Sequence, residues 1–161
     1  MAATDLTTES TLYITYIAST PAKVWEALTS SEFTTQYFFG RTVESDWKPN
    51  SPWLLRRPDG SVDVTGVVRE SDPPRKLVVS WIVEGPPELK DLPESIVTYE
   101  IDAIGENVVR LTMTEAHPTP IPAHLLEGGR RGWPMILSGL KTLLETCKSL
   151  AVPIPQPPTK D

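Results

Sequence analysis

Residues 132–150 read Gly132-Trp-Pro-Met-Ile-Leu-Ser-Gly-Leu-Lys-Thr-Leu-Leu-Glu-Thr-Cys-Lys-Ser-Leu150. Trp133, Ile136, Leu137, Leu140, Leu143, Leu144 and Cys147 recur at spacings of three and four, which predicts one long amphipathic helix. Lys141, Glu145 and Lys148 fall on the opposite face. At roughly 1.5 Å per residue this helix spans about 28 Å, enough to cross a whole sheet. Its apolar stripe needs something broad to cover. The rest of the chain supplies strands.

Working backwards, the period changes from helical to alternating. Asn107–His117 places Val109, Leu111, Met113, Glu115 and His117 on one face. Ser95–Asp102 places Val97, Tyr99 and Ile101 on one face, and Gly105-Glu106-Asn107 joins the two runs as a hairpin turn. Leu77–Glu84, Ser61–Glu70, Trp53–Arg57 and Arg41–Trp47 read as further strands. Gly66 in mid-strand predicts a bulge or the close approach of another backbone. Pro58-Asp59-Gly60 and Asp72-Pro73-Pro74-Arg75 are turns. Leu12–Ile17 is a first strand. Thr20 then offers an N-cap with Pro21 behind it, and Ser31 signals a second short helix carrying Phe33 and Tyr37 and ending near Gly40. An interrupted lead-in at Ala123–Arg131 is expected before the long helix, because Gly128, Gly129 and Gly132 disfavour helix.

The expected architecture is α+β. A curved antiparallel sheet of about six strands wraps a long C-terminal helix, with two short helices after the first strand. Residues 11–150 form the single domain. Residues 1–10 are expected to be a flexible N-terminus, and 151–161 a proline-rich disordered tail. A chain of 161 residues can bury a real core. A net charge of −6 disfavours a nucleic-acid partner. One cysteine rules out an internal disulfide and fits a reducing compartment. No signal peptide or membrane span is visible, so a cytoplasmic location is expected.

Ile14 through Thr29 (Ile-Thr-Tyr-Ile-Ala-Ser-Thr-Pro-Ala-Lys-Val-Trp-Glu-Ala-Leu-Thr) resembles the opening of the START-like (SRPBCC) helix-grip superfamily. Gly66-Val67-Val68, Asp72 to Leu77, Ser80-Trp81, Gly132-Trp133 and Leu140-Lys141 narrow the resemblance. They are similar to the group named after the C-terminal domain of the heat-shock ATPase activator. The family's usual Pro-Gly turn is Pro49-Asn50 here, and Asn tolerates the same positive φ. The resemblance implies a hydrophobic ligand cavity between the long helix and the sheet. It also implies that a homodimer or a chaperone partner is to be considered, with no cofactor.

Candidate lining residues for such a cavity are Tyr37, Phe39, Trp47, Trp81, Tyr99, Met113, Glu115, His117, Trp133 and Leu137. Each ring taken singly is readily explained as core packing. Taken together, so many large rings suit a concave apolar site for a small hydrophobic molecule. Glu115 and His117 are the best polar pair and the weak candidates for acid–base catalysis. Strand ends are usually wet, so solvation of both is the expectation. His117 and His124 have no partner ligands at metal spacing, so no metal site is expected. Cys147 is expected to be buried and inert. Arg56 and Arg57 are expected at the surface, with one of them able to reach the cavity. No hydrolase, nucleotide-binding or dinucleotide motif is present. The sequence therefore supports a binder of a small, largely apolar molecule, with a stress, detoxification or sequestration role. The alternatives are a cyclase- or hydrolase-type enzyme using the same cavity, and a co-chaperone-like interaction module.

Overall fold

The computed structural model describes residues 6–7, 10–85 and 92–151. Most of the expected N-terminal and proline-rich tails, and residues 86–91 of the expected Gly85–Glu94 loop, lie outside the described residues. A short strand β1 (Leu6–Thr7) precedes β2 (Ser10–Ile17). Two helices follow, α1 (Pro21–Thr29) and α2 (Ser31–Tyr37). Next come β3 (Thr42–Ser45), β4 (Pro52–Arg56), β5 (Val62–Asp72), β6 (Lys76–Val83), β7 (Ser95–Gly105) and β8 (Val108–Ala116). The short β9 (Ile121–Pro122) leads into α3 (Ala123–Thr146).

Seven strands form the main antiparallel sheet in the order β2-β8-β7-β6-β5-β4-β3. β1 pairs with β9 in a separate ribbon. Short connections between most consecutive strands, with the longer segment 84–94 between β6 and β7, give the meander from β3 to β8. β2 pairs with the last strand, so it becomes an edge of the sheet. The sheet's inward face and α3 share one core. Val97, Tyr99 and Ile101 of β7, Leu111 and Met113 of β8, and Leu137, Leu140 and Leu143 of α3 are all buried in it.

Local chemistry explains the short elements. Thr20 Oγ1 accepts from the Lys23 N–H and caps α1, with Pro21 in the first turn. The second cap falls at Ser30 rather than Ser31. Ser31 is instead the first helical residue. Its hydroxyl donates to the Val43 carbonyl and accepts from the Val43 N–H, which ties α2 to β3. β3 ends at Ser45, short of the expected Trp47, because Trp47 takes a left-handed φ of 56°. Asn50 and Asn107 also take positive φ in their turns. On the far side of the sheet Asp63 joins Arg41 and Arg57, accepting from Arg57 Nη2 at 2.8 Å. Arg56 pairs with Glu44 at 2.6 Å. Neither Arg56 nor Arg57 reaches the cavity described below, because each is held by an acidic neighbour.

The long helix departs from expectation in two ways. It is continuous from Ala123, so Gly128, Gly129 and Gly132 do not interrupt it. Pro134 is accommodated within it. It also stops at Thr146, where Cys147 adopts a left-handed φ of 60° and its N–H bonds to the Leu143 carbonyl. Cys147 is therefore an exposed C-cap residue, not part of the buried stripe.

Candidate functional site

A cavity of about 360 Å³ opens between α3 and the ends of β6, β7 and β8. Phe38, Trp81, Trp133 and Ile136 form its apolar wall, and Glu115 and His117 stand at its polar end. The volume falls within the range of small-molecule sites. His124 and Gly128, both exposed, also line it and mark its mouth.

Each wall residue is placed by a different element. Phe38 is the C-cap of α2 and Trp133 projects from α3. Trp81 lies near the end of β6, opposite Ser95 of β7. The three rings pack on one another. Trp133 meets Trp81 at 5.2 Å and Phe38 at 5.9 Å between centroids, both edge-on, while Phe38 stacks on Trp81 at 6.3 Å. These spacings are those of packed aromatic pairs, so the rings make a continuous wall.

Inward strand parity carries Glu115 into the protein behind Met113, Leu111 and Val109. It is 8% exposed. His117 follows one residue past the end of β8, and its side chain is 10% exposed. Burial of both overturns the expected solvation. The chain has not left the core at this point, because β9 and the start of α3 fold back across it. His117 Nε2 lies 3.5 Å from Glu115 Oε1, is buried, and makes no hydrogen bond. On its other side Glu115 meets the backbone of α3. A Cβ at Gly129 would stand 3.0 Å from Glu115 Oε1. The carboxylate also acts on two phenols. Burial pushes Tyr99 well up from the usual tyrosine range, and Glu115 adds to the shift. Burial likewise raises Tyr13, with Glu115 the next contributor.

Trp81, Glu115, His117 and Trp133 thus meet at this cavity. Tyr37, Trp47 and Tyr99 line a second, inner void of about 30 Å³, separated from the first by Phe38 and Trp81. The polar ends of two of these rings are satisfied by backbone. The Tyr37 hydroxyl donates to Ala27 O at 2.7 Å, and Trp47 Nε1 to Thr29 O at 3.1 Å. Met113 and Leu137 are buried in the core and line neither space. Phe39 faces away, beneath the Arg41 guanidinium at 5.8 Å. Its left-handed φ of 50° turns it off the path that Phe38 follows.

The lining that sequence reasoning missed is glycine. Leu125, Gly128, Gly129, Gly132, Trp133 and Ile136 all line the cavity from α3. Their spacing of three and four was the available signal, since it puts the glycines on the same helical face as Trp133 and Ile136. A Cβ at Gly128 or Gly132 would meet nothing within 4 Å. The missing side chains leave room on the face that borders the cavity. Among the described residues, no group of three or more His, Cys, Asp or Glu could hold a metal ion.

A sheet closed over one long helix, with an apolar cavity between them, is the helix-grip arrangement. Residues 18–145 match the profile of the Activator of Hsp90 ATPase homolog 1-like protein family, and the chain belongs to that family. Solved structures agree in fold. A protein from Mesorhizobium loti is 20% identical with a TM-score of 0.71, over 84% of this chain and 96% of that one. An HSP90 activator from Plasmodium falciparum is 22% identical with a TM-score of 0.69, over 84% and 95%. The Aha1 dimer from Colwellia psychrerythraea is 15% identical with a TM-score of 0.68, over 88% and 99%. At these identities the likeness shows the fold alone. A comparison with curated proteins finds no match.

Proposed function

We propose that this chain binds a small, largely hydrophobic molecule in the cavity beneath α3, in a sequestration, detoxification or stress-related role in the cytoplasm. The observation that carries this reading is the roughly 360 Å³ space walled by Phe38, Trp81 and Trp133. Its lining is mostly apolar with a few polar groups at one end, which is the usual composition of a small-molecule site. No step of this reading calls for a cofactor. Among the described residues no helix is long and apolar enough to cross a membrane.

The convergence of Glu115 and His117 supports a second reading, in which the same cavity performs acid–base chemistry of a cyclase or hydrolase type. A third rests on the outer face of β2, where Leu12, Ile14 and Tyr16 are 58%, 51% and 51% exposed. That stripe is a candidate surface for a homodimer, as with the Colwellia relative, or for a chaperone partner.

Native mass spectrometry of the protein purified from its own host, beside the denatured sample, separates these readings. A bound apolar compound released on denaturation supports the binder. A mass equal to the bare chain moves weight to turnover or to protein interaction. A doubled mass supports the homodimer.

A further inference from the structure

We infer that the cavity selects neutral aromatic molecules bearing a hydroxyl group, with Glu115 as the residue that sets this preference. The inference rests on the binding reading above and names the ligand class for that site. Three observations support it.

First, Glu115 is the one carboxylate among the described lining residues, and none of these is Lys or Arg. A carboxylate has acceptor oxygens to offer, so it matches a ligand that donates. A ligand carboxylate would place acceptor against acceptor at Glu115, with no Lys or Arg among the described lining residues to reconcile them. Second, His117 does not consume this acceptor. Its Nε2 stands 3.5 Å from Glu115 Oε1, beyond ordinary hydrogen-bond length, and makes no hydrogen bond there. Third, the aromatic rings are packed against each other at 5.2 to 6.3 Å. A cage for an ammonium group needs ring faces that stand apart around the cation. Here Trp133 packs edge-on against the other two rings and Phe38 stacks on Trp81, and the wall suits a flat neutral ring system lying along it.

The test uses four probes with the same bicyclic ring, substituted at the same carbon: naphthol, methylnaphthalene, naphthoate and naphthylmethylamine. Affinity for the full chain is measured by titration calorimetry near neutral pH. Naphthol is expected to bind at least about tenfold more tightly than methylnaphthalene, as a hydrogen bond to a carboxylate allows. Naphthoate is expected to bind weakest. In Glu115→Gln the ratio of naphthol to methylnaphthalene affinity should fall to within about threefold.

Equal binding of naphthol and methylnaphthalene overturns the assignment while leaving the binding reading intact. So does naphthoate or the amine binding tightest. An unchanged naphthol preference in Glu115→Gln removes Glu115 from the role. Failure of all four probes to bind overturns the binding reading together with this one. The wild-type series decides the ligand class even where the variant does not fold.

Discussion

Trp53 Nε1 donates to the Ser80 carbonyl at 2.8 Å, passing directly over Gly66. Trp53 and Gly66 are cross-strand partners in β4 and β5, and Ser80 lies on the next strand, β6. A Cβ at Gly66 would collide with the Ser80 carbonyl oxygen and with the indole nitrogen. The glycine is what lets three strands close here around one indole. Gly66→Ala should therefore cost about 3 kcal/mol or more, because rigid backbone must move. Urea denaturation checks this, and a loss below about 1 kcal/mol would contradict it.

Gly132→Ala should do the opposite. Apart from its chain neighbours and the helix's own backbone, nothing lies within 4 Å of the added methyl, so the change restores helix propensity without a clash. A gain of about 0.5–1 kcal/mol is expected in the same denaturation measurement. The methyl enters the space bordering the cavity, so affinity for an aromatic probe should fall while stability rises. A variant that gained both stability and affinity would show that the helix face does not bound the ligand.

Trp133→Ala removes the ring that touches both Phe38 and Trp81. Loss of a large buried aromatic should cost roughly 3–5 kcal/mol and enlarge the cavity. Ligand affinity should drop with it. Affinity unchanged for every probe would place the site elsewhere in the fold.

The two buried phenols set an alkaline limit. Tyr37 and Tyr99 are both raised, chiefly by desolvation. A raised acid group stays neutral in the folded state while the unfolded chain ionises near pH 10. Its stabilising contribution is whole below about pH 10 and is lost as pH climbs from there toward the folded value. Replacing both by Phe should lower stability near pH 8 by about 1 kcal/mol, through loss of the Tyr37–Ala27 hydrogen bond. The gap from wild type should then narrow between roughly pH 10 and 11. Urea midpoints across that range test the sign, and a widening gap would refute it.

The strands of the sheet and their inward faces were legible because alternation states plainly which side chains turn inward. Val97, Tyr99 and Ile101 read inward in the sequence and are buried. The first helix was equally plain, since Thr20 and Pro21 act locally. The cavity was harder to read. Phe38 and Phe39 are neighbours, and only a left-handed backbone at Phe39 decides that one ring faces the cavity and the other does not. Glycines 128, 129 and 132 look like helix breakers by propensity. Packing of the flanking Leu126, Trp133 and Ile136 keeps the helix intact through them. Glu115 and His117 seemed bound for solvent because the fold-back that buries them comes from β9 and α3, later in the chain. Cys147 sat one residue past the point where helical periodicity ceases to describe the backbone.

Strand β2 is eight residues long, carries no charge and no proline, and stands at the rim of the sheet. Such a rim invites a foreign strand to add on and propagate into fibres. The long helix closes part of that route. Lys141 Nζ donates to the Tyr16 carbonyl, and Glu145 Oε2 accepts from the Ala18 N–H at 2.7 Å. One side chain thus covers a main-chain carbonyl of β2 and the other the N–H just past its end, holding that end of the rim in the manner of a hem. An element that bounds the cavity therefore also protects the protein from templated aggregation.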